Sequence, residues 1–252
     1  MKAEVKGSTL PVLEIQLDPG ESLVSNHGEL AWMSPGIQMT QTTSTGGGGG
    51  GLKAGLKRAV GGGGIFMTQF SAPQGGFITF ATHLPGTIMP IEVTPQMGYI
   101  VHKGGWVCGT DGIVPSMAFQ QSLGAGIFGG EGFVLQKLDG QGQAWIELAG
   151  EVTNYQLAQG QSLLVHPGHI GMFEQTVQFS MTTVPGIKNK IFGGAGIFLV
   201  NLTGPGQVWL QSLTLPGLAG AIEPYLPQQQ ASGTAGGAVA GGVIGGLLGG
   251  RR

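Results

Sequence analysis

The 252-residue chain carries 11 Lys and Arg against 13 Asp and Glu, and only 10% of its residues are charged. Nucleic-acid binding normally depends on clustered basic side chains that neutralise phosphates, so the composition argues against a nucleic-acid partner. The single cysteine, Cys108, cannot form an internal disulfide, and the N-terminus lacks an apolar segment of signal-peptide length. We therefore expect a cytoplasmic protein with a neutral, polar surface.

Short runs of alternating apolar and polar residues begin near the N-terminus, where Leu13, Ile15 and Leu17 are separated by polar residues. The same period of two recurs over residues 144–148 and 177–181. A period of two is typical of half-buried β-strands, and the Pro-Gly and Asp-Gly pairs between the runs are typical of turns. The pattern predicts an all-β protein of antiparallel strands in a sandwich, barrel or β-helix, with no helical pattern before residue 228 except a short stretch at 51–60.

One segment of the chain is repeated: Gly129–Leu148 returns 64 residues later as Gly193–Ser212. A weaker third version, Gly61–Ile78, lies upstream and places Phe77 where the other two have tryptophan. The matched positions pair Gly129 with Gly193, Gly140 with Gly204, Gly142 with Gly206, Gln143 with Gln207 and Trp145 with Trp209. Shared turn residues and shared apolar positions predict a shared structure.

The spacing of these segments predicts three internal repeats, at about 12–90, 91–156 and 157–216, within one β domain that spans residues 1–226. The first repeat is longer than the other two, and its excess length falls on the glycine run Gly46–Gly51. We interpret this run as an insertion in a mobile loop.

The composition changes after residue 226, and residues 227–252 form a Gln- and Gly-rich tail. Five of its glycines recur every four residues: Gly233, Gly237, Gly241, Gly245 and Gly249. On a helix they would share one face, as in a glycine zipper, where small residues let backbones approach closely. Two interpretations stay open: a disordered tail, or a helix that oligomerises or contacts a membrane.

The candidate metal ligands are His166 and His169, followed by Glu174. Imidazole and carboxylate groups hold divalent metals in cupin-like β-barrels, so this set would suit a metal-dependent enzyme. The two histidines flank a Pro-Gly pair, which favours a surface turn over two ligands on one strand face. We therefore expect no metal and no other cofactor.

A second candidate is Cys108, a thiol six residues after His102. A nucleophilic thiol needs an aligned base that a third group orients, and no such group is marked in the sequence. We expect Cys108 to be a buried apolar residue. The recurring Trp145 and Trp209 could stack on a ligand, but as recurring residues they are more simply core anchors.

The phrase from Leu202 to Gln211, LTGPGQVWLQ, together with Gly193–Val200, Gly130–Phe133 and Pro90–Val93, resembles the altered-inheritance-of-mitochondria family, the twenty-fourth of that series. The resemblance covers about residues 10–215. It implies a fold like the units of the tryptophan RNA-binding attenuation protein (TRAP), in the double-stranded β-helix class. Bacterial members are mostly uncharacterised, and eukaryotic relatives are associated with mitochondrial inner-membrane organisation. The family offers no agreed catalytic residues to transfer.

These observations favour a non-enzymatic, self-associating protein that scaffolds or binds a partner, with homo-oligomerisation and a peripheral membrane contact through the tail as expectations. Two alternatives stay open. One is a cupin-like metal enzyme that uses His166, His169 and Glu174, and the other is binding of a small ligand or RNA by analogy with TRAP. The sequence does not indicate which small molecule would bind.

Overall fold

The computed structural model describes residues 1–26, 28–43, 65–121, 133–183 and 198–226. Its strands are, in chain order, Lys2–Lys6 (β1), Val12–Leu17 (β2), Glu21–Asn26 (β3), Leu30–Met33 (β4), Gln38–Thr43 (β5), Phe66–Ala72 (β6), Gly76–Ala81 (β7), Gly86–Val93 (β8), Tyr99–His102 (β9), Trp106–Thr110 (β10), Ile113–Gln121 (β11), Phe133–Gly140 (β12), Gly142–Ala149 (β13), Val152–Leu157 (β14), Ser162–Val165 (β15), Ile170–Glu174 (β16), Gln178–Thr183 (β17), Phe198–Thr203 (β18) and Gly206–Gln211 (β19). The predicted all-β class is confirmed.

The strands form antiparallel sheets. Sheet A has the order β1-β2-β7-β4, sheet B β5-β6-β3-β10-β13-β8, sheet C β11-β12-β9-β16-β19-β14, and sheet D β15-β18-β17. After β1, the pairing follows one scheme in three successive sets of six strands, β2–β7, β8–β13 and β14–β19. In each set the first and third strands pair with the sixth, and the second and fourth pair with the fifth.

The core consists of three clusters of buried apolar side chains, each drawn from two successive sheets. Leu23 of β3 belongs to the first cluster and its neighbour Val24 to the second, because successive side chains of a strand point to opposite faces. Sheets B and C are therefore covered on both faces. This explains why six of the eight residues of β13 are buried, whereas burial alternates along β2.

A glycine begins the sixth strand of every set: Gly76, Gly142 and Gly206, with φ of 148°, 143° and 144°. A Cβ on any of them would collide with a hydroxyl oxygen from the end of the third strand or the turn that follows it: Ser34, Thr110 and Thr176. Glycine is required because the backbone is in a left-handed conformation and is closely approached. Alignment on these glycines places Thr79, and not the expected Phe77, at the position of Trp145 and Trp209.

One helix that the sequence pattern did not predict, Leu215–Ile222 (α1), follows β19. Thr214 caps its first turn, since its Oγ1 accepts a hydrogen bond from Gly217 N at 3.1 Å. The eight-residue helix is too short for a periodic pattern to predict.

The chain divides into two compact units, residues 1–218 and 219–252. The run Gly46–Gly51, the stretch 51–60 and the tail with its five regularly spaced glycines lie outside the described residues, so the expectations for them stay predictions.

Candidate functional site

The two histidines of the predicted metal set do come close together. Pro167–His169 form a 3-10 turn, and the rings of His166 and His169 have centroids 5.8 Å apart. His169 Nδ1 lies 2.8 Å from Gln211 O, and His166 Nδ1 accepts a hydrogen bond from Gly168 N at 3.4 Å. Burial and the neighbouring His169 lower the pKa of His166.

The third member of that set, Glu174, binds a different part of the chain. It is the last residue of β16, and its Oε2 accepts a hydrogen bond from Gln207 N at 2.9 Å, at the start of β19. Across the described ranges, no three or more His, Cys, Asp or Glu side chains are grouped so that they could hold a metal ion.

Cys108 is fully buried in the first core cluster, and burial raises its pKa well above the ordinary value. A thiol in that environment stays protonated and is a poor nucleophile. Both ring nitrogens of His102 lie close to a carbonyl oxygen, with Nε2 3.2 Å from Glu147 O and Nδ1 2.9 Å from Lys103 O. The pKa of His102 is lowered, chiefly by burial. The neutral ring has one N–H group and can donate it to only one of the two carbonyls.

The recurring tryptophans pack within the fold. Trp145 is 2% exposed and belongs to the first cluster, while Trp209 packs edge-on against Tyr99 with centroids 6.0 Å apart. Trp145 is therefore enclosed by the core, whereas Trp209 is half-buried.

Sequence reasoning missed a pair of buried carboxylates, Glu29 and Glu147, which are 8% and 5% exposed. Their Oε2 atoms lie 3.6 Å and 3.5 Å from His83 Nδ1. Glu147 Oε1 accepts hydrogen bonds from His83 N at 2.9 Å and Leu84 N at 3.2 Å, whereas Glu29 Oε1 has only Asn26 Nδ2 at 3.4 Å. Within the described part of the chain, neither Oε2 atom accepts a hydrogen bond.

Burial raises the pKa of Glu29 to about 7, against the lowering effect of His83, and Glu147 raises it further. Glu29 can therefore hold a proton near neutral pH. The pair is assembled by sheet packing, so neither residue stands in a motif. One signal was present: Glu147 is the only charged residue of β13, where most neighbours are apolar.

Two clefts lie near these residues. The larger has a volume of about 370 Å³ and is lined by polar and apolar groups that include Ser25, Glu29, Leu30, Met39 and Thr68. The smaller, about 150 Å³, is lined by residues that include His102, Phe133 and Ile170. Both clefts are open to solvent, and neither gathers an acid and a base in an arrangement that indicates a reaction.

The most unusual surface is the outer edge of β4. Trp32 is 51% exposed, whereas the residues at the same position of β10 and β16, Cys108 and Met172, are fully buried. The difference arises because β10 pairs with β3 and β16 pairs with β9, while β4 has β7 as its one partner among the described strands. The edge strand β15 is exposed in the same way, with Leu164 at 58%. Among the described residues, no helix is long and apolar enough to cross a membrane.

Comparisons with known proteins agree with this architecture. A crystal structure of a Streptococcus pyogenes protein, 21% identical, superposes with a TM-score of 0.70 over 89% of this chain and 99% of that one. An uncharacterized protein of Streptococcus pyogenes serotype M6 is 25% identical over 220 residues, which is 86% of this chain and 87% of the relative. The family model described as Mitochondrial biogenesis AIM24 matches residues 3–213, and the chain therefore belongs to that family.

Proposed function

We propose that this protein is a non-enzymatic, self-associating β scaffold, built from three TRAP-like units that correspond to the three sets of strands. The threefold recurrence of the strand pairing supports the repeat interpretation, and so do the glycines Gly76, Gly142 and Gly206, which begin the sixth strand of each set.

One observation carries the proposal of self-association: strand β4 exposes apolar side chains at positions that are buried elsewhere in the same chain. Leu30 and Met33 are half-buried and Trp32 is exposed, while the matching residues of β10 and β16 lie in the core. Soluble proteins tend to block or cover apolar sheet edges, because an unpaired edge is a template for another chain. A partner chain that covers β4 would remove this surface from water.

The absence of enzymatic activity is part of the proposal. Cys108 is buried, both ring nitrogens of His102 face backbone carbonyls, and Glu174 accepts a hydrogen bond from Gln207 N. These contacts occupy the groups that catalysis would use. A tightly bound metal that is lost on His166→Ala or Glu174→Ala would contradict this part of the proposal.

The test is the mass of the full-length protein in solution, measured by light scattering over a range of concentrations. We expect an assembly larger than one chain, which Trp32→Lys shifts toward the monomer, because a charged side chain on an edge blocks pairing. Leu10→Lys is the control, since Leu10 is 58% exposed and lies outside every strand. A wild-type protein that stays monomeric at all concentrations would contradict the proposal.

A further inference from the structure

The two internal junctions between sets of strands are made in the same way. At the first, β10 pairs with β3 and brings Cys108 opposite Ser25 and Gly109 opposite Val24. At the second, β16 pairs with β9 and brings Met172 opposite Val101 and Phe173 opposite Ile100. In both, the third strand of one set joins the second strand of the preceding set, in the same register.

Two further strands of these kinds, one third strand and one second strand, take part in no junction among the described strands. The third strand of the first set is β4, and the second strand of the last set is β15; both are edges. Strand β4 has the same irregularity as its counterparts, a break in register between Leu30 and Trp32 that matches those at Trp106/Cys108 and Ile170/Met172. Its backbone therefore already has the form of the strands that make junctions.

These two edges lack two of the features by which proteins block sheet edges, charged side chains and proline. Neither Leu30–Met33 nor Ser162–Val165 contains a charged residue or a proline. The other edges carry charge, proline or more polar residues. Strand β1 has Lys2, Glu4 and Lys6, β8 has Pro90 and β11 has Pro115, while β5 and β17 consist mainly of Gln, Thr and Ser, and three of the six residues of β14 are Thr, Asn and Gln. Charge and proline discourage the addition of a strand.

We propose that β15 of one molecule pairs with β4 of the next, in the register of the internal junctions, so that Trp32 lies opposite Val165 and Met33 opposite Leu164. This inference rests on the proposed self-association and specifies its contact. The occupant of each edge is a second copy of this chain, because this chain twice joins strands of these two kinds within itself. Pairing would join sheet D of one copy to sheet A of the next.

The contact is directional, since each molecule uses β4 on one side and β15 on the other. A contact of this kind does not stop at a dimer, and it produces a closed ring or an open filament according to the rotation between neighbours. In the single chain both edges are exposed, as Trp32 and Leu164 show. The pairing therefore requires a second molecule.

Disulfide trapping between separately labelled full-length variants tests the proposal. Trp32→Cys and Val165→Cys are purified singly, mixed in equal amounts and oxidised mildly, and Met33→Cys with Leu164→Cys forms a second pair. Two adjacent pairs are used because successive antiparallel pairs differ in Cα separation, and a disulfide needs Cβ atoms about 4 Å apart. Cys108 is buried and stays in place.

We expect a covalent heterodimer in at least one mixed sample. When either variant is oxidised alone, we expect no covalent dimer. Trp32→Cys mixed with Leu163→Cys is the control, since that pair is out of register by two residues. A double variant, W32C/V165C in one chain, should give a ladder of covalent oligomers. A cross-linked monomer would show that the chain closes on itself and would overturn the inference.

The outcomes separate this inference from the proposed function. If the wild-type protein is an oligomer by light scattering but neither mixed pair forms a heterodimer, the proposed β4–β15 contact is overturned, while the proposed self-association stands. If the wild-type protein is monomeric throughout, both proposals fail. Circular dichroism of every cysteine variant identifies one that does not fold, and the other pair then decides.

Discussion

Glu29 is the residue whose burial has the clearest consequence for stability. Its pKa is about 7 in the folded protein, against 4.5 for an ordinary glutamate. Between these values the folded state binds the proton and the unfolded state does not, so folding stability falls as pH rises from about 4.5 to 7. Among the described residues, the titratable groups that interact electrostatically with Glu29 are His83, Glu147 and Cys108.

We predict that Glu29→Gln removes most of this pH dependence. The wild-type protein should lose stability between these two pH values. In the variant this loss should be smaller by up to about 3 kcal/mol in the free energy of unfolding, because one pKa unit corresponds to about 1.4 kcal/mol. Urea unfolding at several pH values measures it. Glu151→Gln, on an exposed residue, is the control, and a Glu29→Gln variant with the wild-type pH slope would contradict the prediction.

Gly142 has a conformational and a steric requirement that no other residue type meets. With φ of 143° and Thr110 Oγ1 where a Cβ would lie, Gly142→Ala should destabilise the fold by about 1–3 kcal/mol. Gly160→Ala is the comparison, since Gly160 also has a positive φ, of 77°, but open space around it. Chemical denaturation measures both variants, and a loss in Gly142→Ala no larger than that in Gly160→Ala would contradict the prediction.

At the scale of elements, the sheets differ in how they are buried. Strands β10 and β13 of sheet B and β16 and β19 of sheet C lie in the interior of their sheets, while β1 is an edge with mostly exposed residues. We predict the slowest amide hydrogen exchange in β10 and β13 and the fastest in β1, because opening an interior strand disrupts two neighbours and two packed faces. Exchange followed by mass spectrometry measures this order, and equal protection of β1 and β13 would contradict it.

At the scale of the whole molecule, we predict that deletion of residues 231–252 leaves the β body folded. All three core clusters are formed by residues before 211, so the free energy of unfolding should change by less than about 0.5 kcal/mol. The same deletion should alter assembly size or membrane association, as sedimentation and membrane fractionation would show. Unchanged behaviour in both assays would indicate that the tail has no part in either.

The sequence predicted strands best where the alternation of apolar and polar residues alone determines which side chains are buried. Leu13, Ile15 and Leu17 alternate with polar residues and are all buried, because β2 has one face in the core and one outside. It also identified Cys108 as a buried residue. Helix α1 was missed because eight residues are too few for a pattern, and Phe77 was matched to the wrong position because β6 and β7 are joined by a longer turn than β12 and β13.

The sequence by itself determined the all-β class and the family, because alternation, turn residues and recurring phrases are properties of short segments. Only the tertiary structure decided that Glu29 and Glu147 meet at His83, since three segments far apart in the chain supply them. It also decided that β4 and β15 are edges. The composition of a strand indicates which of its faces can be buried. It does not indicate which strands lie beside it, because the packing of whole sheets sets the hydrogen-bonding neighbours.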